Sequence, residues 1–194
     1  MFIELTDLLR CPGDHEEAFL VLIPDEMAGR RVVAGHLGCP VCGWTTAWTD
    51  GVPRLDGSDP AATPPPPPAF DATAAVALLG LSGPGGWLAL AGRAGSLAGA
   101  LESLLPGVHV VAINPPPAVG TGGAVSVIRA ARWPLKRQML RGAVVGADAA
   151  AFVADAIASV LPGLAVVGEG TPPAESPGHE LVAAAPEAWV VRRR

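Results

Sequence analysis

Residues 87–107 read WLALAGRAGSLAGALESLLPG, an apolar run that passes through a glycine-bearing turn into an alanine- and leucine-rich helix. A second strand-like run, Val108 to Ile113, follows at once. Strand, turn, helix and strand in this order are the repeating unit of a doubly wound α/β domain. In units of this kind that hold a nucleotide, glycines let the backbone approach the ligand and the helix start offers unpaired N–H groups. Here the turn is Ala91, Gly92, Arg93, Ala94, Gly95. The fold signal is therefore fuller than the ligand signal.

Outward from this unit, the pattern continues to the end of the chain. Asp71 to Leu81 predicts a short helix, ended by Gly83, Gly85 and Gly86. Ala124 to Ile128 and Gly142 to Gly146 predict the third and fourth strands, Ala149 to Leu161 a helix stopped by Pro162-Gly163, and Leu164 to Val167 a fifth strand. Glu180 to Ala184 and Ala188 to Arg192 predict a closing hairpin. The expected fold class is α/β with a mostly parallel sheet, in a domain spanning 70–194. About 125 residues is short for such a plan, so missing or shortened helices are expected.

Before it, 56–69 reads DGSDPAATPPPPPA, with five consecutive prolines, Pro64 to Pro68. It has no apolar periodicity, and proline fixes φ, so it reads as a spacer between two units.

Residues 1–55 hold all three cysteines, Cys11, Cys39 and Cys42. Cys39-Pro40-Val41-Cys42 is a C-x₂-C knuckle, Cys11-Pro12 begins another, and short strand-like runs at Ala18 to Ile23 and Arg31 to Ala34 lie between them. Two knuckles joined by strands form a zinc ribbon, in which Zn²⁺ takes four ligands tetrahedrally. Three are the cysteines. For the fourth, the chain offers His15, Asp14 or His36, and imidazole beside thiolates suits zinc better than a carboxylate does, which favours His15. The expected metal set is Cys11, His15, Cys39 and Cys42. Thiols used this way fit a reducing compartment, so the cytoplasm is the expected location.

The net charge is −5 over 194 residues and Lys136 is the only lysine. Clamping nucleic acid by charge needs a basic face, and the only basic runs are Arg132 to Arg141 and Arg192 to Arg194. No apolar run reaches the ~18–20 residues that cross a bilayer. Neither a nucleic acid nor a membrane is expected as a partner. Trp44 and Trp48, beside the second knuckle, are candidates for a protein contact or for the ribbon's own core.

LLRCP, CPVCG and TDGVPRL together resemble the short zinc-ribbon family of methyltransferase activators. That resemblance covers about residues 2–55 and implies a partner role, since such ribbons cover an apolar face of a methyltransferase domain. The chain departs from the family at position 14, where Asp14 stands in place of the second cysteine. In 70–194, Ala131-Arg132-Trp133-Pro134-Leu135, Ser159-Val160-Leu161-Pro162-Gly163-Leu164 and Glu187-Ala188-Trp189-Val190-Val191-Arg192 resemble, in order, phrases of the Rossmann-like class I S-adenosylmethionine-dependent methyltransferases.

Carried over residue by residue, that second resemblance implies loss of activity. The acid of the first strand falls on Ala89, and the loop glycines fall on Ala91, Arg93 and Gly95, of which only Gly95 is glycine. The ribose-binding acid falls on Asn114, and the adenine-side acid near Arg129 or Ala130. If S-adenosylmethionine binds at all, Gly92, Gly95 and Asn114 are the residues to hold it. Asn114-Pro115-Pro116-Pro117 reads as a proline-stiffened turn and Asp148 as a helix cap. His109 and His179 have no recognisable catalytic partner, so no catalytic set is assigned.

The expectation is a pseudo-enzyme, a zinc-binding scaffold or accessory subunit with a protein partner, either a true methyltransferase or a second copy of the chain. The rival reading is an active methyltransferase of a small molecule or RNA. A third has Arg93 reading the phosphate or carboxylate of some other ligand.

Overall fold

The computed structural model describes residues 1–55 and 65–194. The 56–64 part of the expected spacer, including Pro64, lies outside the described residues.

A 3-10 turn, Ile3–Leu8, precedes three antiparallel strands, β1 (Val21–Ala28), β2 (Arg31–Gly38) and β3 (Thr45–Trp48), in the order β1-β2-β3. Both ribbon strands expected from sequence form, and each runs further than its apolar run suggested. Trp48 is buried and Trp44 packs against the core, so these two rings serve the interior.

The second part begins with α1 (Ala72–Leu79), where the Asp71 side chain accepts from the Ala74 N–H at 2.8 Å. There follow β4 (Trp87–Ala91), a 3-10 turn Gly92–Leu97, α2 (Ala98–Leu104), β5 (His109–Ile113), β6 (Val125–Ile128) and β7 (Gly142–Val145). A 3-10 turn Ala147–Phe152 leads into α3 (Val153–Ser159), and β8 (Ala165–Gly168), β9 (His179–Ala184) and β10 (Trp189–Arg193) close the chain. The seven strands order as β6-β5-β4-β7-β8-β10-β9. All neighbours from β6 to β8 are parallel, and β10 runs antiparallel between β8 and β9. The closing hairpin thus forms, with its second strand inserted inside the sheet.

The strands are apolar throughout because both sheet faces are covered. On β4, Leu88 and Leu90 face a core shared with α1 and α2, while Trp87, Ala89 and Ala91 face a second core. No helix occurs between β5 and β6 or between β6 and β7. The ribbon takes the place of the missing layer: Leu5, Leu9 and Leu37 join Val111, Ile113 and Ile128 in that second core. At ~25 cal/mol per Å² of apolar surface removed from water, this burial is the main force holding the two parts together.

Main-chain bonds fix the joint. Phe2 N–H donates to Ser126 Oγ (3.0 Å), Arg10 N–H to the Pro134 carbonyl (2.9 Å) and Lys136 N–H to the Leu8 carbonyl (2.8 Å). Beyond β6, Leu55 N–H donates to the Arg129 carbonyl at 2.9 Å and Arg129 N–H to the Pro53 carbonyl at 3.0 Å, a parallel bridge that covers the sheet's edge there. Within the α/β part, the Arg141 side chain, from the basic run after Trp133, donates to the carbonyls of Ser82, Gly83, Pro84 and Gly85. No helix among the described residues is long and apolar enough to cross a membrane.

Candidate functional site

The two knuckles meet. Cys11, His15, Cys39 and Cys42 place one ligand atom each within 4.8 Å of one another, and none of the cysteines is in a disulfide. Cys11 Sγ lies 3.6 Å from Cys42 Sγ, and Cys39 Sγ 3.4 Å from His15 Nε2. A tetrahedral ion with thiolate bonds of about 2.3 Å and imidazole bonds of about 2.0–2.1 Å sets its ligands about 3.5–3.8 Å apart. These two separations are close to that spacing and all four atoms lie within 4.8 Å of one another, so the side chains could hold a metal ion.

Local hydrogen bonds orient the set. Gly13 N–H donates to Cys11 Sγ at 3.3 Å, and Gly43 N–H closes the second knuckle on the Cys39 carbonyl at 3.0 Å. His15 Nδ1 lies 2.7 Å from the Glu16 carbonyl, which fixes Nδ1 as the donor and leaves the Nε2 lone pair facing the thiols. Burial pushes the Cys11 thiol up. At Cys39 burial also acts upward but is outweighed by N–H donation from Cys42 and Val41 and by the thiols of Cys11 and Cys42, and the thiol is lowered. Of the alternatives for the fourth position, Asp14 is exposed and outside the set, and His36 Nδ1 pairs with Asp25 Oδ2 at 2.8 Å on the ribbon sheet. With four protein ligands, the site has no open position for a substrate.

The second site is the crevice at the carboxyl ends of the parallel strands, beside β4 where the sheet order reverses. Ligands bind at this place in open α/β sheets. A cavity of about 420 Å³ lies there, lined by Gly92, Asn114, Pro115 to Pro117, Arg129, Asp148 and Phe152 among others. Its volume suits a small ligand. Its polar walls, however, are engaged with one another.

Asn114, at φ 50°, turns its amide onto Ala130: Nδ2 donates to the Ala130 carbonyl at 2.6 Å, and Ala130 N–H donates to Oδ1 at 2.9 Å. Gly92, at φ 62°, bends the backbone so that Arg93 N–H points at the Asp148 carboxylate, 2.9 and 3.0 Å from its two oxygens. The sequence expectation that Asp148 caps the following helix is therefore not met: the turn Ala147–Phe152 has no side-chain cap, and the carboxylate serves the loop after β4 instead. Gly95 does not line the cavity. A Cβ there would lie 2.5 Å from Pro115 Cβ, so the room this glycine provides is filled by the proline.

Arg93 is not a free anion reader either. Its Nε and Nη2 donate to the two Glu169 oxygens at 2.6 and 2.8 Å. Glu169 is 5 % exposed and also accepts from Ala69 N–H (2.7 Å) and Ala147 N–H (3.1 Å). Burial raises the Glu169 carboxyl, but these three donors outweigh it and hold it below the usual range. Sequence reasoning passed over Glu169. Its signal was an acid directly after the apolar run Ala165 to Gly168, where a strand's end meets the crevice. Arg129, also buried, donates to the Pro115 carbonyl at 2.6 Å.

The remaining histidines have structural partners. His109 stacks on Trp87 with Phe2 edge-on, and His179 lies between Ser176 Oγ and the Ala174 carbonyl, 3.0 Å from each. Among the described residues His109 faces no hydroxyl or thiol, and the Ser176 hydroxyl beside His179 also accepts from Gly178 N–H at 3.3 Å within the same local turn.

No protein-family model matches this chain, and none of the curated proteins matches it.

Proposed function

We propose that this protein is a non-catalytic accessory subunit: a zinc ribbon packed onto a degenerate methyltransferase-like α/β unit. The observation that carries the reading is the self-satisfied crevice. Asn114, Arg93 and Asp148 stand where a cofactor would be read, and each is committed to a partner within the protein. A carboxylate can accept from two ribose hydroxyls; an amide already paired in both directions has little left to offer. Freeing it leaves Ala130's buried backbone unpaired, at a cost of ~1–3 kcal/mol. The strand order, with its closing antiparallel strand inserted next to β8, supports the methyltransferase-like reading of the fold.

Zinc is the metal that the donor set favours, since three thiols and an imidazole in a closed tetrahedral arrangement suit it best. Bound there, Zn²⁺ neutralises the thiolates and ties the two knuckles together. Its role on this reading is structural.

Calorimetric titration of zinc-analysed protein with S-adenosylmethionine and its demethylated product tests the proposal. No heat at millimolar ligand is expected, and micromolar affinity would overturn it. One observation favours the alternative, a methyltransferase of a small molecule or RNA: the cavity of about 420 Å³ at the strand ends.

A further inference from the structure

The cavity at the strand ends has one charge left over. Arg129 follows β6 directly and is 7 % exposed. Its backbone is held from both sides, its N–H donating to the Pro53 carbonyl at 3.0 Å and its carbonyl accepting from Leu55 N–H at 2.9 Å. The residue lines the cavity of about 420 Å³, and among the described residues its guanidinium makes one hydrogen bond, from Nη1 to the Pro115 carbonyl at 2.6 Å. A guanidinium carries five N–H donors in a planar fork, so most of its capacity is unspent.

No carboxylate among the described residues pairs with this cation. Those of the region are taken. Both Asp50 oxygens accept from the Arg54 side chain, at 3.2 and 2.8 Å; both Asp148 oxygens accept from Arg93 N–H; and both Glu169 oxygens accept from the Arg93 guanidinium. Burial first, and then the Arg54 cation, push the Arg129 guanidinium down, and no acid acts the other way. A charge taken out of water without a counter-ion is strongly unfavourable. A ligand that brings the anion relieves that penalty as it binds.

We propose that this cavity binds a small carboxylate with an apolar body, its carboxylate seated on Arg129. The walls select within the anions. Apart from Arg129, Asn114 and Asp148, the lining consists of proline, alanine, glycine and Phe152. Such walls suit a hydrocarbon or aromatic body held by a few polar groups. A single cation matches a single negative charge, and the Asp148 carboxylate in the same lining opposes a second, which sets polyphosphates aside. The planar fork of a guanidinium fits the two oxygens of a carboxylate. Binding of this kind needs no catalytic group, so it goes beyond the accessory-subunit reading without depending on it.

The test titrates the full-length, zinc-loaded protein calorimetrically with benzoate, with its neutral counterpart benzamide and with inorganic phosphate. Saturable binding of benzoate is expected, about tenfold or more tighter than that of either other probe. It should weaken about tenfold or more in Arg129→Gln, and less in Arg129→Lys, which keeps the charge without the fork. Ala151→Trp, at an exposed position of the lining, should block it as well. Circular dichroism and the melting temperature check that the variants stay folded; if Arg129→Gln does not, Arg129→Lys and Ala151→Trp carry the test. No saturable binding at about 10 mM benzoate would overturn the proposal, as would equal affinity for benzamide, preference for phosphate, or benzoate binding that the folded variants leave unchanged. The calorimetry with S-adenosylmethionine decides the accessory-subunit reading separately. Heat there beside Arg129-dependent benzoate binding would remove only the non-catalytic reading, and silence there beside failed benzoate binding would remove only this site.

Discussion

The side-chain amide of Asn114 and the backbone of Ala130 bond to each other in both directions, at 2.6 and 2.9 Å, in the wall of the cavity at the strand ends. The pairing needs a donor and an acceptor on one short side chain. Asn114→Asp keeps the size and tolerates the φ of 50°, but it turns the donor into a second acceptor facing a carbonyl. A loss of about 1–3 kcal/mol is expected, read as a lower urea midpoint at unchanged slope. On the proposed reading this acid should bring no S-adenosylmethionine binding, because Asp148 still holds the loop after β4. A stable Asn114→Asp protein that binds the cofactor would contradict this account.

The Arg93–Glu169 pair makes stability depend on pH in one direction. The folded carboxyl is held below its unfolded value, so its contribution is fully present above about pH 4.3 and is lost as the pH falls from there through the lower folded value. Glu169→Gln removes the charge and leaves a mostly buried guanidinium without its counter-ion, at a cost of roughly 3–5 kcal/mol near neutrality. The difference between wild type and variant should shrink as the pH is lowered below about 4.3. Equal acid-unfolding curves at every pH would show that the pair contributes nothing.

His109 works in the neighbouring range. Burial first, and then Arg30 and Arg31, lower its imidazole, so it is neutral between Trp87 and Phe2. A base lowered on folding stabilises fully above its unfolded value, about 6.5, and less as the pH falls below that. His109→Phe, which keeps a ring in the stack, should flatten the melting temperature between pH 7 and pH 5 relative to wild type. A parallel decline in both proteins would assign the dependence elsewhere.

The fourth metal ligand can be separated from its rivals by metal content. His15→Ala should lose most of the bound zinc measured by atomic emission, whereas Asp14→Ala and His36→Ala should retain it. Only the His15 ring nitrogen lies among the three thiols. Full zinc occupancy in His15→Ala, with loss in either other variant, would move the ligand assignment.

The sequence disclosed those features that depend on spacing along the chain. The knuckles and the succession of buried strands along the chain follow from local pattern, and His15 followed from ligand chemistry, whereas the order of the strands within the sheet was not legible. What stayed hidden depends on contacts between distant positions. Asp148 reads as a helix cap because Asp near a helix start usually is one, yet its partner is the Arg93 N–H, 55 residues away. Glu169 joins Arg93, Ala69 and Ala147, which only the folded sheet brings together. The ribbon's role as a layer of the α/β unit was equally illegible, because the stretches after β5 and β6 show only that they contain no helix pattern, not what covers the bare face.

That shared layer predicts coupled unfolding. Trp133 sits in the joint: 2 % exposed, its Nε1–H donates to Ser159 Oγ at 2.8 Å, its carbonyl accepts from Arg10 Nε at 2.9 Å, and Phe152 packs edge-on at 5.8 Å. Since Leu8, Leu9 and Cys11 belong to the same core as Trp133, Ile128 and Val160, the ribbon does not fold on a core of its own. Trp133→Ala should therefore cost about 3–5 kcal/mol and lower one common transition, rather than melt one part and leave the other. Chelating the metal should act on the same transition, lowering the midpoint read by far-ultraviolet circular dichroism of the α/β sheet together with that read by tryptophan fluorescence. Two separated transitions, with chelator or substitution moving only the first, would mean that the ribbon and the sheet fold independently despite their common interior.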